Sequence, residues 1–340
     1  MERASLDGLQ LRAARDEDAD GLIALVGAAY DEHPGCVLDL PGVDDDLPRP
    51  ATTAARRGGR WWVLTHDGRV IGSIGTGAPS PQGVLELKRC YLDGRWRGRG
   101  LATRLIRRVE EHASALGATQ VELWSDTRFT AAHHRYEQLG YAATGETRDL
   151  HDPSGTTEYR FARTLPPSPS PPPVRFVGPD AEDEVVAQAL PDGSVLRGAV
   201  AGLRYAVEVD HAWRPRRALL AHGERHTQLT SDGHGRWWLD GAVAAALSGC
   251  TDVEMTATAT TIQPVVRRLA LGAGEQAEAR LAVLDSTESA PGVAVATWTR
   301  QSARSYTCHE RKARIEVEVD GFGLPVRVGE LWRRTTPVDD

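Results

Sequence analysis

The spacing of hydrophobic and polar residues differs between the two halves of the chain. In the second half, residues 205–210 and 315–320 alternate apolar with acidic residues, as strands with one solvated face do. In the first half, one long run repeats apolar residues at helical spacing, at Leu101, Leu105, Val109, Ala113 and Leu116. The pattern therefore predicts an α+β chain, with a mixed first half and a mainly antiparallel β second half.

The first half is predicted to be a series of strands and helices around one irregular segment. Asp16 is placed to cap a first helix, and the residues at 66–69 are typical of a hairpin turn. Residues 34–59 contain Pro41, Pro48 and Pro50 and are predicted to be irregular. The predicted order is β-α-loop-β-β-β-α-β-α-β-β, with strands at 9–13, 61–65, 70–76, 84–92, 121–124 and 156–163.

A proline-rich segment divides the chain. Residues 165–173 read LPPSPSPPP, and successive prolines fix φ, remove hydrogen-bond donors and favour an extended spacer. A ligand for an SH3-type domain is the alternative, but no basic anchor flanks the segment. We therefore expect a linker between a first domain at 8–164 and a second domain at 174–340.

Composition limits the classes of function. The 340 residues are 41% hydrophobic and 26% charged with a formal net charge of −7, as in a soluble globular protein without general affinity for nucleic acid. No apolar run approaches the ~18 residues of a membrane span. The N-terminus lacks the apolar core of a signal peptide. We expect a cytoplasmic protein, with a homodimer left open.

The cysteines are four isolated residues without a C-x-x-C pair: Cys36, Cys90, Cys250 and Cys308. This spacing is typical of reduced, mostly buried thiols rather than of a disulfide framework or a zinc site. The sequence therefore predicts no metal.

A glycine-rich turn separates the strand at 84–92 from the long helix. Glycines let the main chain approach a ligand closely and adopt turn dihedrals, and a helix N-terminus offers N–H groups and a positive dipole end to an anion. The turn alone predicts either a phosphate-binding loop or an ordinary turn with exposed arginines. Its residues are Arg95, Trp96, Arg97, Gly98, Arg99 and Gly100, followed by Leu101, Ala102 and Thr103 at the start of the helix.

Two further segments place this turn in a context. Residues 86–92 read ELKRCYL, and Tyr136 is followed by Leu139-Gly140-Tyr141. In this order the three segments resemble the GNAT superfamily of N-acetyltransferases. The resemblance implies a GNAT acyl-CoA acyltransferase fold, a mixed central sheet with flanking helices, and acetyl-CoA as co-substrate. It places the pyrophosphate on the backbone of residues 95–103 and the pantetheine along Cys90, Tyr91 and Leu92.

The resemblance also implies roles in acyl transfer. The main-chain N–H of Leu92 would polarise the thioester carbonyl, and Tyr136 would be the general acid. A phenol with a reference pKa of ~10 can protonate a thiolate whose conjugate acid has a pKa of ~8.5. Tyr136 as a core aromatic is the alternative, and both roles can coexist.

Glu86 is the best candidate for the base, because an acid inside an otherwise apolar strand usually has a reason. A solvated Glu86, or one paired with Lys88, is the alternative. His133 and His134 could relay protons, although surface positions are the more usual role. Many GNAT members carry an Asn where this chain has Phe129 and Thr130, so acceptor binding is expected to differ there.

The irregular segment carries acids on the side of the GNAT fold that binds the acceptor. Carboxylates at Asp39 and Asp44, with Asp45 and Asp46, would attract a cationic amine. A solvated loop is the alternative.

In the second half, four segments resemble the glycolipid-binding family of bacterial proteins, whose fold is a spiral β-roll or half-barrel. They read WRPRR at 213–217, GRWWLDG at 235–241, GCTDVE at 249–254 and VRRL at 266–269. The threonine-rich segment before the paired arginines departs from the family pattern. The resemblance implies a lipid groove lined by Trp213, Trp237, Trp238 and Trp332, with Arg267 and Arg268 on a head group. A β core with arginines at its rim is the alternative.

Two functions follow from these expectations. One is an acyl-CoA-dependent N-acetyltransferase that acts on a small amine, with an appended lipid-binding domain. The other is a lipid or glycolipid carrier whose first half binds CoA without useful turnover.

Overall fold

The computed structural model describes residues 7–80, 82–166, 172–288, 290–310 and 313–336. The chain forms two compact units, Met1–Ser168 (unit 1) and Pro169–Asp340 (unit 2). Residues 167–171, most of the predicted proline-rich linker, lie outside the described residues.

Unit 1 is a seven-stranded sheet with helices, in the strand order β1-β2-β3-β4-β5-β7-β6. Among the described residues of unit 1, only β4 and β5 pair in parallel, and the other neighbours are antiparallel. This is the expected mixed sheet with flanking helices. Its elements are β1 (Leu9–Ala13), α1 (Ala19–Tyr30), α2 (Pro50–Arg56), β2 (Trp61–His66), β3 (Arg69–Thr76), β4 (Val84–Leu92), α3 (Leu101–Ala115), β5 (Gln120–Asp126), α4 (Thr130–Gln138), β6 (Ala142–Asp149) and β7 (Thr157–Thr164).

Two predictions about the start of unit 1 were wrong. The segment 34–59 contains α2, because proline is well tolerated at the first position of a helix, where its missing N–H has no acceptor. Asp16 does not cap α1, which begins at Ala19. Its carboxylate instead accepts hydrogen bonds from the amide and hydroxyl of Thr52, at 2.9 and 2.6 Å. Through these two hydrogen bonds Asp16 stabilises the first turn of α2.

The predicted helical run forms α3. Leu105, Val109 and Ala113 have no exposed surface and pack into the core of unit 1. Each large apolar side chain buried in this way stabilises the fold by roughly 1.5–3 kcal/mol. Gly117 follows at a φ of 78°, the left-handed conformation that commonly ends a helix. The N-terminus of α3 follows β4 after the short glycine-rich turn.

A gap between β4 and β5 positions the site. The two strands pair only between Val84–Leu87 and Gln120–Leu123. Beyond that point β4 follows β3 to Leu92 while β5 follows β7 to Asp126. An extra residue of β4 lies opposite the register shift between Ser73 and Gly75, and such a bulge bends the bulged strand. The β4 edge beyond residue 87 therefore has no strand beside it on the β5 side.

Unit 2 is one fifteen-stranded sheet with a short helix, α5 (Ile262–Leu269). In the part of unit 2 that the structure describes, all strand pairs are antiparallel except β16 with β17. Within the described residues β15 and β16 end the strand order without pairing to each other, so the sheet is not a closed barrel. The strand order is β15-β14-β13-β12-β11-β10-β9-β8-β22-β21-β20-β19-β18-β17-β16.

The strands of unit 2 are β8 (Val174–Val177), β9 (Glu182–Leu190), β10 (Gly193–Val200), β11 (Leu203–Asp210), β12 (Pro215–His222), β13 (Arg225–Ser231), β14 (Trp237–Leu239), β15 (Ala242–Val243), β16 (Asp252–Met255), β17 (Gln276–Leu284), β18 (Gly292–Arg300), β19 (Ser305–Glu310), β20 (Ala313–Val319), β21 (Pro325–Val328) and β22 (Trp332–Arg334). Two apolar clusters fill the interior, and the half-buried Trp332 packs against both. In the part of the chain that the structure describes, no helix is long and apolar enough to span a membrane.

Candidate active site

A cavity of about 960 Å³ opens at the gap between β4 and β5. Its walls come from the end of α1, the loop before α2, β3, β4, the glycine turn, and the facing ends of β5, α4, β6 and β7. The predicted residues that line it are Asp44, Glu86, Cys90, Tyr91, Leu92, Arg97, Gly98, Gly100, Leu101, Ala102, Thr103 and Tyr136. Asp39, Arg95, Trp96 and Arg99 are not part of the lining.

The two glycines of the turn have the left-handed conformation. Gly98 has a φ of 74° and Gly100 a φ of 76°, which side chains disfavour. A Cβ at either position would meet no atom within 4 Å, so close packing within the protein does not explain the glycines. Gly100 directly precedes α3, whose first N–H groups have no acceptor inside the helix. This end of the cavity can therefore bind an anionic group.

The arginines of the turn contribute less free charge than the sequence indicates. Arg95 pairs with Asp93 at 2.6 Å, and Arg97 with Glu32 at 2.6 Å. The Arg99 guanidinium lies 4.9 Å from the ring of Trp96. Trp96 is buried in the core of unit 1. A contact of Trp96 with a cofactor would thus have to involve its backbone.

The N–H of Leu92 faces the gap. Asp93 donates its backbone N–H to the carbonyl of Ile71 on β3, at 2.9 Å. Successive N–H groups of an extended strand point to opposite sides. The N–H of Leu92 therefore points away from β3, toward the cavity, where it can stabilise a developing oxyanion.

Tyr136 borders the cavity from α4 and is also part of the core. Its ring packs against Tyr141 and Phe161, with centroids 6.0 and 5.9 Å away. Burial, and then the neighbouring Cys90, raises the pKa of Tyr136 well above its usual value. Burial also raises the pKa of the Cys90 thiol to about 11. At neutral pH the hydroxyl of Tyr136 therefore keeps its proton.

Glu86 lies on the cavity wall between two cations. Its carboxylate is 3.1 Å from Nζ of Lys88 and 3.6 Å from the Arg148 guanidinium. Arg148 also binds Glu158 at 2.6 Å and lies over the ring of Trp124. Glu86 therefore fits both alternatives from sequence. It borders the cavity, as a base must, and it is also paired with Lys88. The carboxylates of Glu86 and Glu158 thus alternate with the cations of Lys88 and Arg148 on this wall.

The acids of the loop before α2 are held by cations. Asp44 is fully buried, and its carboxylate accepts a hydrogen bond from Arg89 at 2.6 Å. Asp46 also binds Arg89, and the exposed Asp45 binds Arg57 at 2.7 Å. The half-buried Asp39 donates its backbone N–H to Asp44 at 2.9 Å. Recruitment of a cationic amine by Asp39 and Asp44 stays a prediction.

The remaining candidates of unit 1 lie apart from the cavity. His133 packs against Phe161 at 5.1 Å, and burial lowers its pKa. His134 forms a hydrogen bond with Gln138. Neither histidine is part of the cavity lining. Within the described ranges, no cluster of three or more His, Cys, Asp or Glu side chains could hold a metal ion.

In unit 2 the predicted ligand residues separate into two groups. Trp237 is 1% exposed and donates its indole N–H to the carbonyl of Cys250 at 2.8 Å, which makes it a core residue. Arg268 binds the fully buried Asp252 at 2.5 and 2.7 Å. Only the exposed Arg267 and the half-buried Trp213 meet near the surface, with the guanidinium 4.9 Å from the ring. Lipid binding by these residues stays a prediction.

The sequence did not indicate two polar networks. One is centred on Arg89, whose only signal was an arginine within a partly apolar strand. The other surrounds Asp183, which is fully buried and accepts hydrogen bonds from Tyr205 at 3.0 Å and from Thr258 at 2.5 Å. Burial raises the pKa of Asp183 to about 6. Because Asp183 lies among other acids of β9, no local pattern distinguishes it.

Comparison with known proteins gives two family matches. Residues 28–141 match the acetyltransferase (GNAT) family, and residues 182–334 match the family described as "Putative glycolipid-binding". N-acetylaspartate synthetase from Danio rerio is 35% identical over 99 residues, which are 29% of this chain and 35% of that protein. The chain therefore spans about a third of the length of this relative.

Solved structures also resemble the chain. An acetyltransferase from Streptococcus agalactiae is 18% identical with a TM-score of 0.41, over 47% of this chain and 100% of that one. A protein from Salmonella typhimurium, described as "a putative acetyltransferase" with its cofactor acetyl-CoA, is 16% identical with a TM-score of 0.38, over 48% of this chain and 98% of that one. The two family matches agree with the two resemblances expected from sequence. One family match thus falls in each unit, the acetyltransferase (GNAT) family in unit 1 and the family described as "Putative glycolipid-binding" in unit 2.

Proposed function

We propose that this protein is an N-acetyltransferase that transfers an acetyl group from acetyl-CoA to a small amine in the cavity of unit 1. The observation that carries the proposal is that three features needed for acetyl transfer lie at the same cavity. The unpaired edge of β4, the N-terminus of α3 and the hydroxyl-bearing Tyr136 all border one cavity. In this proposal unit 2 is an appended lipid- or glycolipid-binding domain.

Each part of the cavity has a task in this reaction. The backbone at Gly98 and Gly100 with the first turn of α3 would bind the pyrophosphate. The free edge of β4 at residues 90–92 would align the pantetheine through main-chain hydrogen bonds. The N–H of Leu92 would then lie at the thioester carbonyl oxygen. Holding both reactants in this geometry is itself a large part of such catalysis.

The proton transfers follow from the same residues. The amine nitrogen attacks the thioester carbon, and the N–C bond forms as the C–S bond breaks. Tyr136 gives its proton to the departing sulfur, and the proton lost by the amine goes to Glu86, directly or through water. Lys88 and Arg148 hold the Glu86 carboxylate in place. After product release Tyr136 regains a proton from solvent and Glu86 returns its proton to solvent.

Lys88 and Arg148, the two cations beside Glu86, suggest a class of acceptor. N-acetylaspartate synthetase is named for a product that carries its acetyl group on the nitrogen of an amino acid. Lys88 and Arg148 border the cavity, where they would attract the carboxylate of an amine of this kind. We therefore place amino acids beside simple amines among the acceptors to be tested.

The test is consumption of acetyl-CoA by the full chain with a panel of amines and amino acids. We expect turnover with at least one acceptor. Tyr136→Phe should lower kcat by about 100-fold, the lower end for loss of a general acid, with an unchanged melting temperature. Full activity of this variant would reduce Tyr136 to a core aromatic. Tight binding of acetyl-CoA without turnover of any acceptor would favour the carrier function instead.

A further inference from the structure

The loop of residues 39–47, hereafter the acceptor loop, is attached to β4 by one arginine. Arg89 donates to Asp44 at 2.6 Å, to both carboxylate oxygens of Asp46 at 3.1 and 2.7 Å, and to the carbonyl of Val43 at 2.7 Å. All three of its nitrogens are therefore used on one loop. The Arg89 side chain is only 15% exposed, and Asp44 and Asp46 are 0% and 14% exposed.

The backbone of Arg89 is adapted to this task. Its φ is 54°, in the left-handed region that non-glycine residues rarely adopt. Arg89 lies where β4 carries its extra residue, and the buried Ser73 donates its hydroxyl to the Arg89 carbonyl at 2.8 Å. Residues in such conformations persist where the surrounding structure holds them, often at functional sites. The bulge that bends β4 thus also directs Arg89 to the loop.

Asp44 extends the attachment to α1 and back to β4. Its second carboxylate oxygen accepts the N–H of Asp39 at 2.9 Å, and the Tyr30 hydroxyl lies 3.5 Å from the first. Tyr30 is also 3.3 Å from the hydroxyl of Tyr91. Burial raises the pKa of both phenols. The acceptor loop, the end of α1 and the strand expected to hold the pantetheine therefore share one buried network.

We infer that Arg89 is a positioning residue that holds the acceptor loop at the cavity and thereby sets the affinity for the acceptor amine. This inference rests on the proposed function. The carboxylates of Asp44 and Asp46 serve Arg89 rather than the incoming amine. Because Arg89 is next to Cys90 in β4, the same contact fixes the distance between the acceptor and the acetyl group.

The experiment compares Asp44→Asn and Arg89→Lys with the wild-type full chain. The first variant removes the charge at nearly constant shape, and the second keeps the charge but loses the planar fork that binds two acids. We expect the KM for the acceptor to rise at least tenfold in both. The Kd for acetyl-CoA should change less than twofold. The effects should be non-additive in the double variant, because the two residues form one contact.

Asp18→Asn is the matched control. Asp18 is also buried and binds Arg12 through two hydrogen bonds of 2.7 Å, but it does not line the cavity. Its loss should lower stability without changing the acceptor KM. Should Asp44→Asn fail to fold, Asp46→Asn provides the same test, because Asp46 is less buried.

Hydrogen exchange of the acceptor loop separates this inference from the proposed function. If no acceptor is turned over, the proposed function fails, yet exchange at residues 39–47 should still be at least tenfold faster in Asp44→Asn than in Asp18→Asn. Acceptor KM and loop exchange that both stay within twofold of wild type in Asp44→Asn and Arg89→Lys would overturn the role of Arg89. For a simple amine without a carboxylate, a wild-type KM that rises steeply with ionic strength would also contradict it, because free acids would then be recruiting the amine.

Discussion

Tyr136 in unit 1 and Trp237 in unit 2 are both aromatic residues with a polar group, and both are almost completely buried. Tyr136 borders the cavity of unit 1, whereas Trp237 donates its indole N–H to the carbonyl of Cys250. The predicted anion-binding groups of the two units differ in the same way. The glycine turn of unit 1 faces open space, whereas Arg268 of unit 2 is occupied by Asp252.

The difference shows which sequence signals survive folding. In unit 1 the signal lies in backbone conformation, since glycines before a helix start dictate where unpaired N–H groups point. In unit 2 the signal lies in side chains on β-strands. There a ligand groove and a packed core both select tryptophans and paired arginines, so the pattern alone does not separate them.

The largest expected effect concerns Trp237. If it is a core residue, Trp237→Ala should lower the free energy of unfolding of unit 2 by about 3–5 kcal/mol, as for other large-to-small core changes. Hydrogen exchange of β14 and β16 in the full chain measures this. Trp213→Ala, at a half-buried position, should cost clearly less. A decrease in unfolding free energy below about 1 kcal/mol for Trp237→Ala would contradict a core role and favour a position in an open groove.

The second effect compares the buried acids of the two units. Asp44 is paired with a guanidinium, but the carboxylate of Asp183 is bonded to the hydroxyls of Tyr205 and Thr258. The folded pKa of Asp183 is raised to about 6, above the ~3.9 of an unfolded Asp. Its contribution to stability is therefore complete below pH ~4 and is lost as the pH rises through about 6.

Asp183→Asn should remove this pH dependence. Relative to the variant, the wild type should lose about 3 kcal/mol of unit 2 stability between pH 4 and pH 7, at about 1.4 kcal/mol per pKa unit. Hydrogen exchange of β9 and β11 at several pH values measures the difference. Parallel pH profiles for the two proteins would show that Asp183 ionises in the folded state without cost.

The smallest expected effect concerns Arg267. Its exposed contact with Trp213 should contribute only about 0.5–1 kcal/mol, so Arg267→Ala should leave the stability of unit 2 nearly unchanged. If Arg267 grips a head group, co-sedimentation with phosphatidylcholine vesicles containing a glycolipid should fall in this variant. Vesicles without the glycolipid are the control. Undiminished co-sedimentation would leave Arg267 a rim residue.

The sequence was sufficient for the frame of both units and for one end of the candidate site. The turn at Gly98 and Gly100, the helix from Leu101 and the placement of Tyr136 depend on local spacing, which the chain displays directly. The pairing of Arg89 with Asp44 spans 45 residues, so no local pattern could reveal it. The sequence also does not show that the side chain of Trp96 points into the core, because the side chain of a turn residue can point either to the core or to solvent.

The central claim is that the glycine turn of unit 1 binds acetyl-CoA. Gly98→Asp would bring a side chain and a negative charge to the bound pyrophosphate. Gly145→Asp is the matched control, because Gly145 also has a positive φ and open space for a Cβ but lies outside the cavity lining. In calorimetric titration we expect Gly98→Asp to weaken acetyl-CoA binding at least 100-fold, about 2.8 kcal/mol, and Gly145→Asp to bind like wild type. Equal affinity in both variants would contradict the assignment of the site.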